Sequence, residues 1–216
     1  MHNILRPRLF SVSFLLIVLT ASMNARSEGG KTLIVYFSQP ENASLSGVDG
    51  VSGASLLQSK GVVMGSNEYI ARLIQQRTNG TLFRIETVNP YPVEHQPLLD
   101  FAEDEQRKGS RPAIKAQIAD FDNYDTVFVG YPIWWYKMPM VMYSFFEQYD
   151  FTGKKIIPFT VHGGSRFADS LREIKRLQPN ATLLTDGFAL SRNDVLDDDV
   201  PDEVNQWLAT LRIDSK

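Results

Sequence analysis

Short apolar segments and amphipathic segments alternate along this chain, and this alternation constrains the fold more than any other feature. Residues 31–37 are apolar and rich in β-branched and aromatic side chains, as expected for a strand buried on both faces. Residues 67–78 then show helical spacing, with Ile70, Leu73 and Ile74 on one face. The strand–helix pattern occurs five times. It predicts a parallel sheet built from β-α-β units, with helices on both faces.

The remaining elements follow from the same two periodicities. The predicted strands are 31–37, 81–88, 125–130, 155–161 and 182–190, and the predicted helices are 67–78, 97–108, 140–149, 167–177 and 201–211. Pro158 lies inside the fourth strand, where it is tolerable only if its missing N–H is not needed. Residues 39–65 show no convincing element and are rich in Gly and Ser, so we expect an insert that is either functional or disordered.

The first 25 residues differ from the rest of the chain. Arg6 and Arg8 precede a largely apolar run at 9–19, and small residues follow it. This pattern is typical of a secretory signal peptide, and the run is shorter than the ~20 residues that span a bilayer. We therefore expect an exported protein, periplasmic or secreted, with no stable membrane span after cleavage. Residues 26–216 are then one domain.

The composition excludes several kinds of site. The chain has no cysteine, which rules out disulfides, thiol catalysis and iron–sulfur clusters, and its three histidines are too few for a histidine-based metal site. The aspartates at 194–202 fit no defined calcium loop and indicate a solvated turn, so we predict no metal site. The net charge of −3 argues against nucleic acid as a partner.

Ligands of parallel sheets bind beyond the carboxyl ends of the strands, so the loops after the first, third and fourth strands are the candidate site. The first loop leaves the sheet at Ser38 and enters a helix near Ser66. Unpaired N–H groups at a helix start hold a phosphate well, and polar side chains could add further bonds. Simple capping of the helix by Ser66 is the alternative.

The second and third loops have the residues for a planar ligand. The two tryptophans and the tyrosine of 134–136 cannot all point inward from one turn, which suggests stacking on a flat ring; packing against the insert is the alternative. In the third loop, Gly163 and Gly164 allow a ring to approach the backbone closely, or else form a tight strand–helix turn.

Four segments resemble a known family: residues 34–38 (Ile-Val-Tyr-Phe-Ser), 91–92 (Tyr-Pro), 130–135 (Gly-Tyr-Pro-Ile-Trp-Trp) and 162–165 (His-Gly-Gly-Ser), with Leu171 after the last. The chain from about 31 to 211 resembles the flavodoxin-like FMN-binding domains. The resemblance implies a three-layer α/β sandwich, a five-stranded parallel sheet of order 2-1-3-4-5, and FMN as cofactor.

The same resemblance implies the binding residues. The first loop would hold the FMN phosphate, the second and third loops would flank the isoalloxazine, and Trp134 or Trp135 would stack on it. The residues expected to bind FMN are Ser38, Gln39, Pro40, Asn42, Ser66, Asn67, Pro132, Ile133, Trp134, Trp135, Tyr136, His162, Gly163, Gly164 and Ser165.

The chain departs from this family in the phosphate loop. Relatives have a compact Ser-x-Thr-Gly-Asn-Thr-like stretch there, whereas here residues 38–42 read Ser-Gln-Pro-Glu-Asn and the insert follows. Glu41 would place a negative charge near a phosphate unless it points away. The insert could instead close over the cofactor.

Three functions agree with the sequence. The first is an FMN protein that passes electrons from one redox partner to another protein or a small acceptor, with no catalytic acid or base. The second is an FMN-dependent NAD(P)H:quinone-type oxidoreductase, for which His162 and Tyr136 are candidate catalytic residues. The third is a flavodoxin-shaped binding module that has lost FMN, which the altered phosphate loop and the absence of a twin-arginine pair at residues 6–8 favour.

Overall fold

A computed structural model describes residues 30–39, 56–59 and 62–211 of the 216-residue chain. The strands are β1 (Lys31–Tyr36), β2 (Leu56–Ser59), β3 (Val62–Gly65), β4 (Thr81–Arg84), β5 (Tyr124–Gly130), β6 (Lys155–His162), β7 (Thr182–Leu183) and β8 (Phe188–Ser191). The helices are α1 (Ser66–Thr78), α2 (His95–Lys108), α3 (Met140–Gln148), α4 (Ser170–Leu177) and α5 (Val200–Thr210).

The described residues form a parallel sheet with the strand order β4-β1-β5-β6-β7, in which β8 also pairs with β6. This confirms the predicted flavodoxin-like α/β fold. The sheet has six strands and not five, because the last predicted strand, 182–190, is interrupted and contributes two short segments. The predicted order 2-1-3-4-5 is therefore close to the observed one, with β7 and β8 both in the fifth position.

Pro158 explains where the last strand breaks. The N–H of Leu184 donates to the Ile156 carbonyl at 2.9 Å, and the N–H of Arg192 donates to the His162 carbonyl at 2.8 Å. Pro158 lies between these bonds on the same edge of β6, because alternate residues of a strand face the same side. It has no N–H to offer there. Gly187 passes so close that a Cβ would lie 2.3 Å from the Pro158 carbonyl oxygen.

Helices cover both faces of the sheet, as predicted. On one face, Ile34, Phe128 and Phe159 of the sheet pack with apolar residues of α1 and α5. On the other face, Leu33 and Val127 pack with residues of α2, α3 and α4. All five of these sheet residues are fully buried. Burial on both faces accounts for the continuous apolar runs in the sequence.

Several element boundaries differ from the predictions. The second strand ends at Arg84 and not at 88, although Thr87 still forms an isolated antiparallel bridge to Ile114. The fourth helix begins at Ser170, after two tight turns, and not at 167. Gly109 ends α2 in the left-handed conformation, as its position predicts.

The expectation that 39–65 contains no regular element was wrong for part of that segment. β2 and β3 pair antiparallel as a separate two-stranded sheet, and β3 leads directly into α1. Residues 40–55 and the predicted signal peptide, 1–25, lie outside the described residues. Within the described part of the chain, no helix is long and apolar enough to cross a membrane.

Candidate functional site

The three candidate loops lie along one edge of the sheet. β1, β5 and β6 are consecutive neighbours and run parallel, so their carboxyl ends lie together. The start of α1 is at this edge too, because Oδ1 of Asn67 accepts a hydrogen bond from the backbone N–H of Val161 at 3.0 Å. The buried side chain of Asn67 therefore connects the start of α1, where the first loop ends, to the end of β6.

The first turn of α1 has unused hydrogen-bond donors. Gly65 is the N-cap and no side chain caps the helix, so the alternative that Ser66 caps it is not what the structure shows. Ser66 and Asn67 are buried, and Nδ2 of Asn67 has no hydrogen-bond partner among the described residues; the same holds for Oγ of Ser38. Buried polar atoms without partners are costly and point to a ligand or water. Together with the free N–H groups of the helix start, they suit an anion.

Gln39 has a structural contact that its sequence position did not predict. Its buried side chain donates from Nε2 to the carbonyl oxygens of Tyr91 at 3.1 Å and Pro92 at 2.9 Å. This holds the Tyr-Pro segment against the end of β1. Of the other predicted residues of this loop, Pro40 and Asn42 lie outside the described part of the chain.

The second loop ends in a tight turn. Trp134 and Lys137 exchange two backbone hydrogen bonds of 2.9 and 3.0 Å. The central residues, Trp135 and Tyr136, have φ values of 48° and 61°. Such left-handed conformations are unfavourable for residues with a Cβ, and strain of this kind clusters at functional sites. Pro132 and Ile133 lead into this turn, buried and half-buried respectively.

The three aromatic residues of the turn point in different directions. Trp134 is only 3% exposed and makes edge-on contacts with Phe37 and Tyr91, at centroid distances of 5.6 and 5.2 Å. Trp135 is 44% exposed, and its indole N–H donates to the Leu99 carbonyl at 2.9 Å. Tyr136 is 72% exposed. Trp134 is thus a core residue, and the rings accessible for stacking belong to Trp135 and Tyr136.

Replacing Tyr136 with glycine should stabilise the folded state. Glycine adopts positive φ values without steric cost, so the change should raise the free energy of unfolding by about 1 kcal/mol, since the exposed ring contributes little packing. Urea unfolding of both proteins measures this difference. Gly153, already at φ 75° in another turn, provides the control position: its change to alanine should destabilise by a similar amount. A Tyr136→Gly variant less stable than the parent would contradict the assigned conformation.

The third loop is organised around His162. Its buried ring accepts a hydrogen bond at Nδ1 from the backbone N–H of Gly164 at 2.9 Å, which places the proton of the neutral ring on Nε2. Gly164 has a φ of 126°, a conformation that glycine adopts more readily than other residues, and a Cβ there would contact nothing within 4 Å. A Cβ on Gly163 would lie 3.2 Å from the Arg192 guanidinium. The two glycines therefore form a tight turn and also leave its backbone accessible. Ser165, the last of the residues predicted to bind FMN, is half-buried, and its backbone carbonyl accepts a hydrogen bond from the Ala168 N–H at 3.0 Å.

His162 should titrate below the usual histidine range. Burial lowers its pKa from 6.5, the charge of Arg166 lowers it further, and Asp194 acts in the opposite direction. Because the unfolded chain then binds a proton more readily, the stability contributed by neutral His162 is complete above pH 6.5 and is lost as pH falls towards the folded-state pKa. An NMR titration of the ring should give a midpoint below 6.5, and Arg166→Gln should raise it. A midpoint at or above 6.5 would contradict the burial.

Several residues beside the site were missed by sequence reasoning. The Tyr91 hydroxyl donates to the buried Glu105 carboxylate at 2.8 Å, and desolvation raises the pKa of Glu105. Nε2 of Gln106 donates to the Trp134 carbonyl at 2.8 Å. Arg192 reaches Gly163 from the end of β8. Among these residues, only Tyr91 belongs to a segment that the sequence marked, the Tyr-Pro pair at 91–92. The others come close to the site through tertiary packing, which the sequence does not show.

Residues 57–211 match the sequence model of the Flavodoxin family, and the chain belongs to this family. Solved structures share its fold. A protein from Bacteroides eggerthii assigned as a flavoprotein is 23% identical with a TM-score of 0.63, and the match covers 86% of this chain and 100% of that one. A similar assigned flavoprotein from Bacteroides uniformis is 25% identical, with a TM-score of 0.61 and coverage of 84% and 99%.

A flavoprotein from Lactobacillus acidophilus, solved in complex with FMN, is 17% identical with a TM-score of 0.54 over 83% of this chain and 99% of that one. No curated protein sequence matches the chain. The family match and the FMN complex of a structural neighbour support the prediction of FMN as cofactor.

Proposed function

We propose that this protein binds FMN at the carboxyl ends of β1, β5 and β6 and acts in electron transfer. The observation that supports this most strongly is the uncapped, buried start of α1, which contains the unpartnered Asn67 Nδ2, together with the unpartnered Ser38 Oγ just after the end of the first strand. Free N–H groups and buried donors fit the FMN phosphate. FMN, when bound, supplies the one- and two-electron chemistry, and the protein supplies binding and electrostatics.

The aromatic turn fits the flat ring of FMN. Trp135 and Tyr136 are exposed in a conformation fixed by the two backbone bonds between Trp134 and Lys137. Stacking of a flavin on such rings excludes water and stabilises the complex. Gly163 and Gly164 would let the polar edge of the ring approach the backbone of the third loop.

The stacking proposal has a direct test. Replacing Trp135 and Tyr136 together with alanine should weaken FMN binding by about tenfold or more and reduce quenching of FMN fluorescence, because aromatic stacking is worth about 0.5–1.5 kcal/mol per pair beyond buried area. Phe101→Ala, which removes another exposed ring at 41% exposure, is the matched control and should leave both quantities unchanged. Equal effects in the two variants would contradict stacking by the turn.

The proposal has two forms, which differ in the source of the electrons. An electron carrier takes electrons from a redox partner, whereas an oxidoreductase takes them from NAD(P)H. Steady-state oxidation of NADH and NADPH by the FMN-loaded protein with a quinone distinguishes them, and we expect slow turnover from a carrier. We also propose export to the periplasm or beyond, which N-terminal sequencing of the protein recovered from cells would test.

A further inference from the structure

Cationic side chains lie around the third loop, although the chain as a whole has a net charge of −3. Arg166 is four residues beyond His162 and is exposed. Arg192 comes from the end of β8 and places its guanidinium carbon 3.3 Å from where a Gly163 Cβ would be. Lys137, also exposed, follows the aromatic turn. Three cationic side chains therefore lie near this loop, in a chain whose overall charge is negative.

Arg166 directly follows the third loop, residues 162–165, in an unfavourable backbone conformation. Its φ of 50° is unfavourable for a residue with a Cβ, as is the 43° of Ala168 two residues later. No carboxylate among the described residues forms an ion pair with Arg166. Its charge nevertheless contributes to the lowered pKa of His162, with only Asp194 opposing it. The charge of Arg166 therefore influences His162, and its guanidinium has no ion-pair partner among the described residues.

The second loop and the turn that contains Arg166 are connected. The carbonyl oxygen of Tyr136 accepts a hydrogen bond from the backbone N–H of Asp169 at 3.4 Å. The Asp169 carboxylate, in turn, is paired with Arg172 at 2.8 Å, so it does not cancel Arg166. Lys137 and Arg166 consequently belong to two joined segments beside the exposed aromatic rings.

We propose that Arg166, assisted by Lys137 and Arg192, makes this site select small anionic electron acceptors, namely aromatic quinones that bear a sulfonate or carboxylate. The proposal deepens the FMN function above and rests on it. A local positive potential on an acidic protein attracts anions and raises their association rate. A guanidinium also binds carboxylates and tetrahedral oxyanions through paired hydrogen bonds.

In the proposed step, reduced FMN is the only reductant and the quinone is the only oxidant. Two electrons and two protons pass from reduced FMN to the quinone, whose two carbonyl groups become hydroxyl groups, and oxidised FMN is left. Dithionite supplies the electrons that reduce FMN before the quinone is added.

The test compares two quinones that differ in charge. The dithionite-reduced, FMN-loaded protein is mixed anaerobically with 1,4-naphthoquinone or with 1,4-naphthoquinone-2-sulfonate, and FMN reoxidation is followed at several quinone concentrations. Arg166→Gln should slow the reaction with the sulfonate about tenfold and change that with the neutral quinone less than about twofold. The effect should shrink in about 0.5 M salt because exposed charges are screened. Arg77→Gln, the same charge change in the last turn of α1, is the control and should affect neither.

An equilibrium measurement separates this proposal from FMN binding. Naphthalene-2-sulfonate cannot be reduced at these potentials, and calorimetry of its binding to the full chain needs no flavin. We expect weaker binding to the Arg166→Gln variant by about tenfold and unchanged binding to Arg77→Gln. If FMN binds but Arg166→Gln slows both quinones equally, or if the sulfonate binds both variants alike, the charge selection is wrong. If FMN does not bind, the proposed function fails, and the calorimetry still decides whether Arg166 selects anions.

Discussion

Replacing Trp134 with alanine is expected to lower the free energy of unfolding by about 3–5 kcal/mol, the range for removing a large aromatic side chain from a core. The ring is 3% exposed and packs edge-on against Phe37 and Tyr91. The cavity left behind cannot close easily, because Gln106 holds the Trp134 carbonyl and Gln39 holds those of Tyr91 and Pro92. Chemical unfolding followed by circular dichroism gives the difference.

The neighbouring tryptophan is the control for this prediction. Trp135 is 44% exposed and has one hydrogen bond, to the Leu99 carbonyl, so Trp135→Ala should cost about 1 kcal/mol. Equal losses of stability in the two variants would contradict the different packing of the two rings. The distinction matters for interpreting flavin binding, because a weak-binding Trp134 variant would reflect a disturbed core, whereas a weak-binding Trp135 variant would reflect lost stacking.

Replacing Asn67 with aspartate should reduce FMN affinity by about 100-fold, because a charge-assisted hydrogen bond of about 1.5–3 kcal/mol is lost and a carboxylate faces the phosphate. The substitution preserves Oδ1, which accepts the Val161 N–H at 3.0 Å, and changes only the unpartnered Nδ2. The side chain is fully buried, so solvent cannot screen the new group.

Riboflavin provides the control ligand for this variant, because it has the same ring system and no phosphate. Fluorescence titrations should show the large loss for FMN and a change of less than about threefold for riboflavin. A similar loss for both flavins would mean that Asn67 only maintains the structure. No loss for either would remove the start of α1 from the phosphate site.

The sequence could predict the fold because the physics that forms it is local and periodic. β1 and α1 follow from runs of apolar residues at strand and helix spacing, and Gly109 ends α2 where its position indicates. Pro158 alone could not predict the break between β7 and β8, because the effect of its missing N–H depends on which strand lies beside it. The antiparallel pair β2 and β3 was not predicted, because each strand has only four residues and the segment before them is rich in Gly and Ser.

The candidate site was predictable in its location but not in its details. The alternation of strands and helices places the three loops at one edge of the sheet, whatever their exact residues. It could not show that Trp134 is buried while Trp135 is exposed, because adjacent residues in a left-handed turn do not follow strand or helix periodicity. The position of Arg192 could not be predicted either, because it lies near Gly163 only through the pairing of β8 with β6.

The central claim is that this chain holds FMN, and a visible absorption titration of the purified protein with FMN tests it most directly. We expect saturable binding at one FMN per chain, shifted and resolved flavin bands, and much weaker binding of riboflavin, because the start of α1 recognises the phosphate. Flavin bands that remain those of free FMN throughout the titration would contradict the claim. The protein would then be a flavodoxin-shaped binding module whose ligand is not a flavin.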